Sequence, residues 1–198
     1  VLARQDAKTL AIIGSGAQAR TQLTAVCAVR AIETVWVYSP TPAHVEDFIQ
    51  DMVGQKGVPS DLRVAASAAE AVAEADIVSA ATTSAQPVFA HRDLKPGTHI
   101  NGAGSYTREM QEIPGETVAA ALVTVDSRSA AIAEAGDIYI PLEQGTLRDE
   151  DVYEIGDVLP GKAPGRSDAT LFTFFKSVGV AVQDAVAAQW ALANAREM

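Results

Sequence analysis

Thr9-Leu10-Ala11-Ile12-Ile13-Gly14-Ser15-Gly16-Ala17-Gln18-Ala19 decides how the rest of the chain folds. Leu10 to Ile13 are four apolar residues in succession, the pattern of a strand buried on both faces, as in a parallel sheet. Gly14-x-Gly16-x-x-Ala19 follows at once, and Ala19 to Arg30 reads as a helix. Strand, glycine turn and helix in that order are the setting in which GxGxxA acts as a dinucleotide-binding fingerprint. Gly14 permits the tight turn, Gly16 lets a diphosphate approach the backbone, and Ala19 lets the helix pack close to the strand. The free N–H groups and partial positive charge at the helix start suit phosphates. Gly14, Ser15, Gly16, Ala17 and Gln18 are thus the first expected cofactor contacts, and NADP or NAD is the expected ligand.

The second strand, Val35 to Tyr38, ends where such a fold meets the adenosine ribose, usually with an acidic residue in NAD binders. Here Ser39-Pro40-Thr41-Pro42 follows. Ser39 and Thr41 can bond a 2′-hydroxyl or a 2′-phosphate. The missing carboxylate removes a repulsion, yet no Arg is present to attract, so the balance tips slightly toward NADP. Pro42 suits the first turn of a helix reaching Met52. Arg63 to Ala66 is the third expected strand, Ser67 and Glu70 have capping-box spacing at the start of a helix, and Asp76 to Ala81 is the fourth strand. Thr82, Thr83 and Ser84 lie just past its C-terminal end, where open α/β sheets bind ligands, as a cofactor contact or a loop cap.

Thr98 to Asn101 forms the fifth strand, and Gly102-Ala103-Gly104-Ser105-Tyr106 gives a second loop of small residues on the same edge. It is either a backbone surface for a nicotinamide ring or a plain loop. Asn101, Gly102, Gly104 and Ser105 join the expected contacts. Ala120 to Val125 is a sixth strand closed by Asp126, a helix follows from Ser129 to Ala135, and Gly136-Asp137 ends it. Residues 149–158 read as a solvated acidic face around a short helix. Leu159 to Arg166 is the least regular stretch and divides a dinucleotide-binding domain (1–158) from a C-terminal segment (159–198). Leu171 to Phe175 is strand-like, and the long final helix, Val178 to Arg196, follows. Ala181, Ala185, Ala188 and Leu192 share one of its faces, with Val182, Val186 and Trp190 beside it, which suits close packing against another element. The expected fold is α/β: a Rossmann-like, doubly wound, mostly parallel sheet flanked by helices.

A chain of 198 residues with 48% hydrophobic content can bury a substantial core. A formal charge of −10 argues against nucleic acid or an anionic membrane as partner. No apolar run approaches the roughly 18 residues of a membrane span. Cys27 is the single cysteine, on the core side of the first helix, and fits a reducing cytoplasm. His44, His91 and His99 have no metal-ligand spacing. Val1 stands only a few residues before a core strand, which reads as a piece of a longer polypeptide.

Several segments occur in one order: Gly14-Ser15-Gly16-Ala17-Gln18-Ala19, Thr82-Thr83-Ser84 with Pro87, Ile100-Asn101-Gly102-Ala103-Gly104-Ser105 with Glu109-Met110-Gln111-Glu112, Gly161 with Gly165-Arg166, and Phe175-Lys176-Ser177-Val178-Gly179 with Asp184. Together they resemble the ornithine cyclodeaminase/mu-crystallin family over essentially the whole chain. That resemblance implies a nicotinamide-binding sheet and a second domain, formed mainly by preceding residues and joined by the C-terminal helix, that binds substrate and dimerises. The family's substrate-carboxylate Arg residues and active-site Lys would lie in that preceding half. Ala17 and Gln18 would meet the diphosphate and Ser39 the adenosine ribose. Thr82, His99 to Gly102 and Ser177, with Val178 and Gly179 in the same segment, would line the rest of the cofactor.

Cyclodeaminases carry an Asp just after the second glycine loop, where this chain has Tyr106. A phenol with a reference pKa of about 10 cannot replace a carboxylate base near neutral pH. The pattern therefore looks more like members that reduce cyclic imino acids such as Δ1-pyrroline-2-carboxylate. Tyr106 and Thr107 are the candidate catalytic residues, as proton donor or water-orienting group, against a plain role as pocket wall or turn. A cyclodeaminase or amino-acid dehydrogenase, and a non-catalytic cofactor-binding protein, are the competing readings. The expected partners are a small imino or amino acid and a second copy in a homodimer. Glu109 and Glu112 are expected to begin a helix, and Lys176 to be a phosphate contact or a surface charge.

Overall fold

In the computed structural model, which describes residues 1–197, a single sheet of eight strands organises the chain. The strands are β1 Thr9–Ile13, β2 Thr34–Tyr38, β3 Asp61–Val64, β4 Ile77–Ala80, β5 His99–Gly102, β6 Ala121–Val125, β7 Val152–Glu154 and β8 Phe172–Lys176. They lie in the order β3-β2-β1-β4-β5-β8-β6-β7, and every neighbouring pair is parallel. The order reverses between β1 and β4, which opens a crevice at the C-terminal edge of the sheet.

Alternation along β1 shows why the sheet needs helices on both faces. Leu10 and Ile12 pack with Leu23 and Val26 of α1 (Ala17–Val29) and with Val45 and Phe48 of α2 (Pro42–Met52). Ala11 and Ile13 face the opposite layer. That layer is built from α3 (Ala68–Ala73), α4 (Gly115–Ala120), α5 (Arg128–Glu134) and α6 (Gly136–Glu143). Capping begins α3 as its spacing implies: Ser67 Oγ accepts from Glu70 N, and Glu70 Oε2 accepts from Ala66 N.

Four local expectations change. The third strand is Asp61–Val64, not 63–66, in register with β2 from Thr34 onward. Gly136-Asp137 does not end a helix but opens α6. A Cβ on Gly136 would land on the Met110 carbonyl, so the glycine serves close packing rather than termination. Residues 149–158 contain the edge strand β7 as well as the short helix α7 (Ile155–Val158). Glu109 and Glu112 begin no helix, because Pro114 holds the preceding residue extended and α4 starts only at Gly115.

Residues 159–176 run back into the sheet, where β8 pairs with both β5 and β6. Arg166 pins this segment by donating to the carbonyls of Leu2, Leu171 and Gly97 and to Thr173 Oγ1. Only α8 (Ala181–Glu197) stands apart: every residue from Ala181 to Arg196 is exposed, with Val182 at 64% and Trp190 at 70%. Among the described residues no helix is long and apolar enough to cross a membrane.

Candidate functional site

A groove of about 520 Å³ runs along the C-terminal edge of the sheet at the β1/β4 crevice. Gly14 to Gln18, Ser39 and Pro40 line one end, and Ala81 to Thr83, Ala103, Gly104 and Tyr106 the other. No carboxylate, imidazole or amine lines it, so polarity comes from backbone, hydroxyls and one amide.

The first end is built from a turn and a helix start. Gly14 has φ +106°, and a Cβ there would sit 2.5 Å from the Ala81 carbonyl oxygen, so only glycine fits. Gly16 differs: its φ is −75°, and a Cβ would meet nothing within 4 Å. Its bareness leaves space outside the protein rather than within it. No side chain caps α1, and the amides of Ser15 to Gln18 donate to no acceptor among the described residues. Arg20 holds the turn from behind, donating Nη1 to the Ser15 carbonyl at 2.5 Å and pairing Nη2 with Asp51 at 2.6 Å. Exposed amides at an uncapped helix start, with room above Gly16, fit the diphosphate of a dinucleotide.

The second end is built from the loops after β4 and β5, and here the amides of Thr82, Gly104 and Ser105 are taken by one carboxylate. Glu112 is fully buried behind the groove, and its Oε1 accepts from Thr82 N at 2.6 Å. Its Oε2 accepts from Gly104 N at 2.6 Å and Ser105 N at 2.9 Å. Glu112 is itself held by Asp137, whose Oδ1 accepts from the backbone N–H of Glu112 at 2.7 Å and of Ile113 at 2.9 Å. Asp137 Oδ2 has no hydrogen-bond partner, and Lys176 Nζ lies 3.9 Å from it while donating to the Gly102 carbonyl at 3.2 Å. Burial pushes the Asp137 carboxyl up to about 6, opposed by the Lys176 charge. Burial likewise lowers the Lys176 pKa, opposed by Asp137 and Glu112. Lys176 is therefore neither a phosphate contact nor a surface charge, since its side chain is wholly enclosed.

The remaining expected residues divide. Thr82 keeps its place on the groove wall, and its Oγ1 accepts from Ser84 N. Ser84 turns its own hydroxyl to the Gln86 carbonyl, off the groove. Ser105 is buried with its hydroxyl donating to the Met110 carbonyl, and Gly102 is buried where a Cβ would press on Phe174. Ser177, Val178 and Gly179 form the turn after β8, gathered by Asp126. Its Oδ2 accepts from Ser177 Oγ at 2.8 Å, Val178 N at 3.0 Å and Gly179 N at 2.8 Å. Thr41 is exposed at the start of α2 and lines no part of the groove.

Tyr106 is 60% exposed at the groove mouth, whereas Thr107 is set back, its carbonyl accepting from Met110 N and Gly136 N. Asn101 belongs to a different groove on the α1 face of the sheet. There His99 Nε2 pairs with Asn101 Oδ1 at 3.0 Å and His99 Nδ1 with Thr173 Oγ1 at 2.8 Å, and burial lowers the His99 pKa to about 4.

Sequence reasoning gave Glu112, Asp126 and Asp137 only local roles at helix and strand ends, and it missed the burial of Lys176. One signal was available for the last: Phe172, Phe174 and Lys176 share one face of β8 by period-two alternation, and Phe174 is core. Glu112 and Asp137 carry a fainter mark, each an acid directly followed by a buried isoleucine, Ile113 and Ile138.

Residues 1–198 match the family model described as the ornithine cyclodeaminase/mu-crystallin family. A Delta(1)-pyrroline-2-carboxylate reductase of Bacillus cereus (strain ZK / E33L) is 41% identical over 99% of this chain and 60% of its own length. The ketimine reductase mu-crystallin of Macropus fuliginosus is 33% identical over 93% of this chain and 54% of its own. The structure of Thermococcus litoralis Delta(1)-pyrroline-2-carboxylate reductase in complex with NADH and L-proline superposes with TM-score 0.94 at 39% identity. It covers 99% of this chain and 60% of that one. The chain thus spans about 60% of the length of the reductases it matches.

Proposed function

Because this chain belongs to the ornithine cyclodeaminase/mu-crystallin family, we propose that the whole protein reduces a cyclic imino acid of the Δ1-pyrroline-2-carboxylate type with NADH or NADPH. The observation that carries this reading is a groove at the β1/β4 crevice with open backbone amides at one end and the phenol of Tyr106, where cyclodeaminases carry a carboxylate, at its mouth. Cyclodeamination and amine oxidation need a base beside the substrate nitrogen. A protonated ketimine is already electrophilic and needs chiefly to be held in place.

The amides of Ser15 to Gln18 would hold the diphosphate, and Ser39 Oγ the adenosine ribose. The Thr82–Thr83 and Ala103–Gly104 walls would hold the nicotinamide half. When bound, the dihydronicotinamide supplies hydride chemistry. Tyr106 at the mouth would orient water or a proton donor toward the substrate nitrogen and help exclude bulk solvent. Ser39 is uncharged and nothing acidic lines that end of the groove, which supports acceptance of both cofactors with a slight preference for NADPH. The bare apolar residues of α8 support a homodimer. Cys27 as the single cysteine supports a reducing, cytoplasmic setting.

The test is turnover by the whole protein. Consumption of NADPH or NADH is expected with Δ1-pyrroline-2-carboxylate, without ammonia release from ornithine. Ammonia release, or tight cofactor binding with no imine reduction, would overturn the reading.

A further inference from the structure

We propose that Glu112 is a positioning residue that sets the separation of the two loops forming the nicotinamide half of the groove. The inference rests on reading that groove as the NAD(P)H site. Its carboxylate lines no part of the groove; it lies behind both walls. One oxygen holds the loop after β4 through Thr82 N, and the other holds the loop after β5 through Gly104 N and Ser105 N. A single rigid group therefore spans the two walls, through three charge-assisted hydrogen bonds in a water-free setting.

Neither loop can relax around it. A Cβ on Gly104 would fall on the Thr82 carbonyl oxygen and within 2.6 Å of both Glu112 carboxylate oxygens, so the loops meet as closely as backbone allows. The Glu112 backbone is fixed on both sides as well. Its N–H donates to Asp137 Oδ1 at 2.7 Å, and its carbonyl accepts from Val88 N at 2.9 Å. Among the described residues, by contrast, Glu112 makes no hydrogen bond to the adenosine and diphosphate end.

The experiment separates the two halves of the ligand in the whole protein. NADH and ADP-ribose, which lacks only the nicotinamide, are titrated against the native chain, Glu112→Gln and Glu112→Asp. Gln puts an N–H₂ donor against an amide donor, and Asp keeps the charge but is too short to reach both loops. Both variants are expected to bind NADH about tenfold more weakly, the effect of one lost hydrogen bond to a charged group. ADP-ribose affinity is expected to change less than twofold. Unchanged NADH affinity, or equal weakening of NADH and ADP-ribose, would overturn the proposal. Should both variants fail to fold, amide exchange in the native chain decides. The Thr82, Gly104 and Ser105 amides are expected to be protected before NADH is added, and protection that arises only with NADH would overturn the assignment. A native chain that binds neither ligand defeats the cofactor reading itself, which distinguishes that failure from failure of the clamp.

Discussion

The two ends of the groove use the same backbone chemistry in opposite ways. At the start of α1 the amides of Ser15 to Gln18 are left without protein acceptors. Behind the loops after β4, β5 and β8, carboxylates take amides: buried Glu112 takes three, buried Asp137 two and half-buried Asp126 those of Val178 and Gly179. A run of four consecutive free amides can solvate an anion, whereas an end whose amides are mostly tied inward offers chiefly shape and a few hydroxyls. That division matches the two halves of a dinucleotide, one doubly charged and one a flat ring. It also separates two kinds of mutation, those that act on the ligand and those that act on the protein.

The largest effect belongs to the tied end. Lys176→Met should lower unfolding free energy by about 3–5 kcal/mol, because it strands Asp137 in the interior without its cation. Adding Asp137→Asn should recover part of that loss, and urea denaturation of the two single variants and the double variant measures the coupling. If Lys176→Met is neutral, the interior charges do not support this end.

The free end should behave in the reverse manner. Gly16→Leu meets no obstruction within the protein and no unfavourable φ, so unfolding free energy should shift by less than about 0.5 kcal/mol. Titration with NADPH should nevertheless show affinity lower by about a hundredfold, as the side chain fills the space above the amides. A variant that loses stability instead would place the Gly16 requirement inside the fold, where that of Gly14 lies.

This asymmetry also explains how much the residues revealed in advance. The free end was legible because its determinants are contiguous: an apolar run, Gly14, Gly16 and Ala19 lie within eleven residues and follow local rules. A mostly parallel sheet flanked by helices followed from the same alternation of patterns, whereas the strand order and the edge strand β7 did not. The tied end was not legible in that way, since Glu112 works on amides 30, 8 and 7 residues distant and Asp137 on amides 25 and 24 residues distant. No local pattern encodes a carboxylate whose partners are backbone groups of other loops. The Glu109–Glu112 stretch therefore looked like a helix start, the commoner use of acids in that spacing.

Stability should respond to pH through the tied end and a neighbour on the opposite sheet face, because the free end carries no titratable group on the groove wall. Asp137, raised to about 6 by burial, keeps a proton that the unfolded chain releases near 4, so its contribution falls as pH rises from about 4 to 6. His99, lowered to about 4, stays neutral where the unfolded imidazole is charged, so its contribution rises from about pH 4 to 6.5. The two nearly cancel in the native chain. Asp137→Asn should remove the falling part and leave stability increasing by about 2–3 kcal/mol across that window, read from urea midpoints at pH 4, 5 and 6.5. An unchanged pH profile in the variant would mean that Asp137 titrates as an ordinary carboxylate.

The smallest effect tests whether the turn after β8 belongs with the tied loops. Ser177 Oγ donates to Asp126 Oδ2 at 2.8 Å in a half-buried setting, and the amides of Val178 and Gly179 reach the same carboxylate. Ser177→Ala removes one of several bonds to a charged acceptor that keeps its others, so the loss should be about 1 kcal/mol in unfolding free energy. If this turn only shapes the nicotinamide end, ADP-ribose should bind the variant as it binds the native chain, while NADH weakens by a few-fold. Equal weakening of both ligands would mean that the Asp126 turn supports the whole groove, and the division between a charged end and a shaped end would have to be redrawn at β8.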